Sequence, residues 1–223
     1  MKTRVIIPIY RPLDVDEERA LKHNCRMLAA HDIALLAPEG LDTASAAALA
    51  PQAEIVIQET WAYRTDDGRI GGAKPGWGFD QNGMYDRLTE NYTELAKKHN
   101  FRIIPVGKAV QAFRAKTPVK YTAPTPEERK TYVFPDLPRR AGEVVGNEYW
   151  MKDRKSGEMT MRVDRTHLNN DGNYLQACVW YGFLFGEKPS EIKFVPNNIG
   201  KKQAVLLRAC AQEALETFPQ VKK

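Results

Sequence analysis

Residues 54–59 read EIVIQE, a short run of β-branched side chains that ends on two polar residues. β-branched residues favour strands, and a run of this length between polar residues predicts a strand in a sheet. Apolar runs of the same kind occur at residues 5–10, 33–37 and 101–106. Segments with helical spacing alternate with these runs, which is typical of an α/β protein with a mainly parallel sheet.

The remaining elements follow from the same periodicities. We predict one short strand over residues 159–163 and helices over residues 14–30, 43–49, 84–99, 173–185 and 203–218. Residues 117–156 combine several prolines with little periodicity. Because proline interrupts both helices and strands, this segment is predicted to be an irregular insertion.

Composition and charge bound the class of protein. The 223 residues are 43% hydrophobic and 27% charged, which predicts a single globular domain over residues 1–223. The 33 basic residues are interleaved with 28 acidic ones, without a run of five like charges, so we expect no nucleic-acid partner. No stretch reaches 18 apolar residues and the first residues lack the features of a signal peptide. We therefore expect no membrane partner and a cytoplasmic location.

Histidine and cysteine spacing argues against a metal. The four histidines lack HxH or HExxH spacing, and the three cysteines lie far apart in the chain. Zinc sites need such ligands at characteristic short spacings. We therefore expect no metal site and no cofactor.

The run DRTHLNNDGNYL at residues 164–175 carries the strongest chemical signal. Asp164 stands three residues before His167, at the start of an apolar helical pattern. Acyl transfer needs an imidazole that takes a proton from a hydroxyl and a carboxylate that fixes the tautomer of that imidazole. We predict His167 as the base and Asp164 as its partner. The alternative is a structural cap in which Asp164 binds backbone N–H groups.

Ligands of open α/β sheets bind beyond the carboxyl ends of the strands. Gln58, Glu59 and Thr60 follow the third predicted strand, and Gly107 follows the fourth. We therefore predict that these four residues bind substrate or a reaction oxyanion, at the same edge as the Asp-x-x-His pair.

A long loop over residues 60–83 is rich in glycine and aromatic residues. Loops of this length are often functional. Trp61 is a candidate for stacking on a sugar, with burial in the core as the alternative. Arg64 is a candidate for binding a carboxylate or phosphate, with a solvated loop charge as the alternative.

Three segments resemble SGNH/GDSL-type hydrolases. Residues 163–186, VDRTHLNNDGNYLQACVWYGFLFG, are similar to the C-terminal block of that family. Residues 55–64 and 101–110, IVIQETWAYR and FRIIPVGKAV, are similar to its central strands. The resemblance covers about residues 54–218. It implies a three-layer sandwich of the flavodoxin or SGNH-hydrolase type.

The same resemblance implies an activity and roles for particular residues. The activity is hydrolysis of an ester, with an acylated carbohydrate as the substrate class. His167 corresponds to the base of the family's triad and Asp164 to the acid that orients it. Gln58 takes the place of the Asn that more usually contributes to the oxyanion hole.

The beginning of the chain departs from that family. Residues 9–12 read IYRP, where a Gly-Asp-Ser turn would carry the nucleophile. Residues 4–42 are instead similar to the opening of a bacterial glycosyltransferase-like family. Ser45 is a candidate nucleophile, with a helix N-cap or a buried helix position as the alternative.

The sequence thus predicts a chain of unequal parts. They are a transferase-like part at residues 1–50, hydrolase-like parts at residues 51–116 and 157–223, and the insertion between them. Two further functions stay open. One is a non-catalytic carbohydrate-binding protein on the same scaffold, and the other is a glycosyltransferase-like protein.

Overall fold

The computed structural model describes residues 4–8, 32–36, 54–70 and 76–220. Its first sheet consists of parallel strands in the order β1-β2-β3-β4, which are β1 (Arg4–Pro8), β2 (Asp32–Leu36), β3 (Glu54–Gln58) and β4 (Arg102–Ile104). The predicted α/β class is confirmed. The strand order differs from the flavodoxin order, in which the first strand lies between the second and the third. In this chain β2 lies between β1 and β3. The predicted helices over residues 14–30 and 43–49 lie outside the described residues.

The described helices are α1 (Gln81–His99), α2 (Val106–Lys116), α3 (Pro126–Thr131), α4 (Asn170–Phe185) and α5 (Lys201–Thr217). Within the described ranges, none of them has the length and apolar character needed to cross a bilayer. α1 and α4 begin about one turn before their predicted starts, because side-chain caps set their first residues. Asp80 accepts the N–H of Gly83 at 2.8 Å, and Asn169 accepts two N–H groups of the first turn of α4.

The fourth strand is shorter than predicted, and a helix follows it directly. The sequence suggests a strand over residues 101–106, but β4 ends at Ile104 and α2 begins at Val106. Between them lies Pro105, which has no N–H to donate to a strand ladder. The apolar run therefore contains both the end of a strand and the start of a helix.

β3 and β4 send alternate side chains to opposite faces of the sheet. Val56 and Ile104 pack with buried residues of α2, α4 and α5. Ile57 and Ile103 pack on the other side with residues of α1. Helices therefore cover both faces of these two strands.

Glu59 joins the end of β3 to the start of α2. Its buried carboxylate accepts the hydroxyl of Thr89 at 2.7 Å and the N–H of Lys108 at 2.8 Å. Burial raises the pKa of Glu59, although these hydrogen bonds oppose the shift. Because the first turn of a helix favours a negative partner, this carboxylate caps α2.

The second sheet is an antiparallel ribbon of β5 (Val145–Lys152) and β6 (Met159–Leu168). It corrects two predictions. Residues 117–156 are not irregular throughout, because they contain α3 and β5. The strand predicted over residues 159–163 continues to the end of β6. The prolines of the insertion all precede residue 139, so β5 is free of them and can pair.

Charged side chains tie the ribbon to the loop after β3. The side chain of Arg64 is 1% exposed, and its guanidinium donates to Asp66 at 2.6 and 3.1 Å and to Glu148 of β5 at 2.8 Å. Asp66 also accepts from Arg129 of α3 and Arg165 of β6, each at 3.0 Å. One carboxylate thus holds three arginines from separate parts of the chain.

Gly107 tests the junction of β3 and α2. A Cβ at this position would stand 2.1 Å from the backbone carbonyl oxygen of Thr60, which follows β3 by two residues. We expect Gly107→Ala to lower the free energy of unfolding by roughly 1–3 kcal/mol, as overpacking does. Gly68→Ala is the matched control, because a Cβ at Gly68 has nothing within 4 Å. Urea unfolding measures both variants, and equal midpoints would contradict the close approach.

The ion pairs of Asp66 predict how the stability of the protein changes in acid. Burial alone would raise the pKa of Asp66, but hydrogen bonds from Arg64, and then from Arg129 and Arg165, lower it to about 2. A carboxylate with a lowered folded pKa adds stability above its unfolded pKa of about 3.9, and this stability is lost as the pH falls toward 2. We expect Asp66 to contribute about 1 kcal/mol of the stability lost by pH 3 and about 2 kcal/mol by pH 2.

The measurement is urea unfolding of the wild type and of two variants at several pH values between about 6 and 3. Asp66→Asn should lose less stability over this range than the wild type does. Asp136→Asn, which alters an exposed carboxylate, is the control and should follow the wild type. The same acid sensitivity in all three proteins would contradict the assignment.

Candidate active site

The Asp-x-x-His pair lies in a bulge of the ribbon. Val145 pairs with Leu168 and Asn147 pairs with Asp164, so the single residue Gly146 stands opposite three residues of β6. The φ of Gly146 is 89°, a conformation that glycine adopts without steric penalty. Bulges bend a strand and re-aim its side chains. Here the bulge presents the side chain of the histidine to solvent, with 81% of it exposed.

The bulge removes backbone groups from the ladder, and nearby groups satisfy them. Asp164 Oδ1 accepts the N–H of Thr166 at 2.8 Å and that of His167 at 3.1 Å. Two carbonyl groups of the bulge also have partners. That of Arg165 accepts the backbone N–H of Arg64 at 2.9 Å, and that of Thr166 accepts the indole N–H of Trp61 at 2.7 Å. The loop after β3 therefore fixes the backbone that carries the histidine.

The other oxygen of Asp164 contacts the imidazole. Oδ2 lies 2.8 Å from Nδ1 of His167, whereas Oδ1 binds the two backbone N–H groups and the hydroxyl of Thr166 at 3.1 Å. The sequence left open whether this carboxylate is a structural cap or the partner of the histidine. In the structure it makes both sets of contacts, one with each oxygen.

The hydrogen bonds to Asp164 keep it ionised. Burial alone would raise the pKa of Asp164, but the N–H groups of Thr166 and His167, and then their side chains, lower it to about 2. An ionised carboxylate only accepts hydrogen bonds, so Nδ1 of the neutral ring carries the hydrogen. Nε2 is then the basic nitrogen and is not engaged by the carboxylate.

A nucleophile for Nε2 is absent from the described residues: none of their hydroxyls lies within hydrogen-bond distance of it. The hydroxyl of Thr166 lies 3.2 Å from Nδ1, the other ring nitrogen. Ser156 belongs to the turn of the ribbon, and Ser190 lies beside α5. Ser45, the candidate from the sequence, lies outside the described residues.

Gln58 is held by helix α4. Its Oε1 accepts the indole N–H of Trp180 at 2.5 Å and the amide of Gln176 at 2.8 Å. An indole nitrogen can only donate, so it fixes which end of the Gln58 amide is the oxygen. The NH₂ group of the half-buried Gln58 therefore remains as a donor. Such a donor is what an oxyanion requires.

Three residues that were predicted to contact a ligand are buried and have partners within the protein. Glu59 is fully buried as the cap of α2, and the N–H of Gly107 donates to the carbonyl of Glu59 at 3.2 Å. The guanidinium of Arg64 is buried between Asp66 and Glu148. These residues hold the ends of β3 and the ribbon together, and their polar groups already have partners.

The remaining predicted residues lie at the end of β3. Trp61 is half-buried, packs against the main core and donates to the carbonyl of Thr166. The hydroxyl of Thr60 lies 3.5 Å from that of Tyr92. The bond from Trp61 brings the end of β3 beside the bulge. That Gln58 lies at the same edge as the Asp-x-x-His pair stays a prediction.

The sequence did not point to two neighbours of the pair, because they lie in the predicted irregular insertion. Asn147 is the strand partner of Asp164, and Arg140 donates a hydrogen bond to Asn147 Oδ1. The signal was present in residues 145–168. Two apolar runs there flank the turn sequence DRKSG, which is the pattern of a hairpin.

The described residues contain no group of three His, Cys, Asp or Glu side chains placed to hold a metal ion.

A scan of the chain against models of known protein families finds no match, and a search of curated proteins finds none either. Among solved structures, the chain is similar to a DUF4886 family protein from Bacteroides uniformis ATCC 8492, with a TM-score of 0.58 and 18% identity. The match covers 90% of this chain and 66% of that one. At this identity the likeness describes the fold alone.

Proposed function

We propose that this chain is an ester hydrolase of the SGNH/GDSL type, with acylated carbohydrates as its substrate class and a three-layer sandwich as its scaffold. The observation that carries the proposal is the contact of 2.8 Å between Asp164 Oδ2 and His167 Nδ1, which leaves Nε2 free as a base. The helices on both faces of β3 and β4 support the scaffold.

The proposed chemistry needs a proton acceptor and an oxyanion donor. Nε2 of His167 takes a proton from the attacking hydroxyl or water, whose oxygen adds to the ester carbonyl. Asp164 stabilises the imidazolium, because it stays ionised throughout. The amide NH₂ of Gln58 donates to the oxyanion. When the carbonyl re-forms, the alcohol leaves and takes the proton from Nε2.

The attacking group has two sources. One is a hydroxyl outside the described ranges, with Ser45 as the candidate. The other is a water molecule that His167 activates directly. Attack by a hydroxyl forms an acyl-enzyme, which a water molecule deprotonated by His167 then hydrolyses, releasing the acid and restoring the hydroxyl. Direct attack by water releases the acid without an acyl-enzyme.

A second candidate function is carbohydrate binding without catalysis. It is favoured by the lack of a hydroxyl near Nε2 of His167 among the described residues. Loss of the serine of a triad costs roughly 10⁶ in turnover, with about 10³ to 10⁴ over water remaining. A site without a nucleophile would therefore bind its substrate with little turnover.

The two members of the pair give the first test. His167→Ala and Asp164→Asn should each lower kcat/KM for p-nitrophenyl acetate by about 10³-fold or more, since one removes the base and the other its tautomer control. His99→Ala is the matched control, because His99 lies exposed at the end of α1. Equal rates in all four proteins would contradict the proposal. Urea unfolding of each variant distinguishes lost chemistry from lost folding.

Trapping identifies the attacking group. A fluorophosphonate probe should label a hydroxyl nucleophile once per chain by intact mass, and His167→Ala should abolish the label. Hydrolysis without labelling assigns the attack to water. If the protein shows no hydrolysis and no labelling, the hydrolase proposal is overturned in favour of the binding protein.

A further inference from the structure

One face of the ribbon continues outward from the Asp-x-x-His pair. Neighbouring strands in register place Asn147 beside Asp164, Tyr149 beside Arg162, and Met151 beside Thr160. Side chains alternate along a strand, so these residues share one face. We call Asn147, Tyr149, Met151, Thr160 and Arg162 the ribbon ledge. It runs about 14 Å from Asp164, at about 3.4 Å for each residue.

Beyond half-buried Asn147, the residues of the ledge are exposed to solvent. Glu148 and Trp150, which alternate with the ledge residues, point the other way and are bound there. Glu148 accepts from buried Arg64, and the indole N–H of Trp150 donates to the carbonyl of Asp136 at 3.0 Å. Tyr149, in contrast, is 45% exposed.

The ledge carries positive charge without contact to a carboxylate. Arg162 is exposed on the ledge, and half-buried Arg140 donates to Asn147 at its inner end. Among the described residues, neither arginine has a carboxylate within 4 Å, although Asp153 and Asp171 lie farther away. By comparison, several other arginines pair with acids at 2.6 to 3.1 Å, among them Arg64, Arg102, Arg114, Arg129 and Arg165.

We propose that the ribbon ledge binds an acidic oligosaccharide whose ester group lies at His167. The exposed ring of Tyr149 offers a flat apolar surface to a sugar ring. The guanidinium groups of Arg140 and Arg162 bind sugar carboxylates, since their donors match carboxylate geometry. Asn147 uses its oxygen for Arg140, so its NH₂ group faces the sugar as a donor. The inference rests on the proposed function and names the substrate class of the same site.

Binding is measured on the His167→Ala variant, which removes the proposed base, so that turnover does not interfere. The ligands are a galacturonic acid hexamer, cellohexaose as the neutral counterpart and a glutamate hexamer as an acidic peptide. Isothermal titration should show the galacturonate hexamer binding at least tenfold more tightly than either of the others. Binding of the peptide as tightly as the galacturonate hexamer, or no binding of the acidic sugar at millimolar concentration, overturns the proposal.

Variants locate the site. In the same His167→Ala background, Arg162→Gln and Arg140→Gln should each weaken galacturonate binding by roughly tenfold, the loss of one charge-assisted contact. Tyr149→Ala should weaken it further by removing the stacking surface. Arg154→Gln, at the exposed turn of the ribbon, removes the same charge off the ledge and should bind normally. An equal loss in Arg154→Gln would show general attraction to the basic surface and overturn the ledge.

The outcome is independent of the test of hydrolysis. Hydrolysis of p-nitrophenyl acetate without galacturonate binding contradicts the proposal for the ribbon ledge and supports the hydrolase proposal. Galacturonate binding at the ledge without hydrolysis keeps the ledge as a binding surface and removes the hydrolase.

Discussion

The bulge in β6 is the constraint on which the site depends. Three residues of β6 stand opposite one residue of β5, so their backbone polar groups need partners outside the ladder. Leaving such a group buried and unpaired costs about 1–3 kcal/mol. Asp164 satisfies two N–H groups, and the loop after β3 satisfies carbonyl groups through Arg64 and Trp61. The same contacts that stabilise the bulge therefore set the direction of His167.

Charge stabilises this arrangement from the far side of the loop. Buried ion pairs contribute little by themselves, because removing two charges from water offsets much of their attraction. Their directional effect is stronger: Asp66 accepts from Arg64, Arg129 and Arg165 and is satisfied only when the loop, α3 and β6 meet. This requirement favours one packing of the ribbon over others that bury similar apolar area.

The sequence predicted what is local. The strand over Glu54–Gln58 follows from its β-branched run, and the pair Asp164–His167 is a contact between residues three apart. The first residues of the helices and the strand β5 were harder to predict from the sequence, because side-chain caps and strand partners determine them as well as periodicity. α2 was missed because its first residues continue the apolar run of β4.

The roles of Glu59 and Arg64 were not predictable, because their partners are remote in the chain. Glu59 is bound by Lys108 and Arg64 by Glu148, and the neighbouring residues in the sequence do not indicate these partners. A polar residue at a strand end reads equally well as a ligand contact and as a buried cap.

The bulge also bears on how the ribbon avoids aggregation. A two-stranded ribbon exposes the outer edges of its strands, and an unpaired edge is a template on which another chain can add a strand. Next to His167, the carbonyl groups of Arg165 and Thr166 are already bound by Arg64 and Trp61, and the bulge breaks the regular spacing that strand addition needs. The bulge that presents the imidazole to solvent therefore also interrupts the regular edge of the ribbon next to His167.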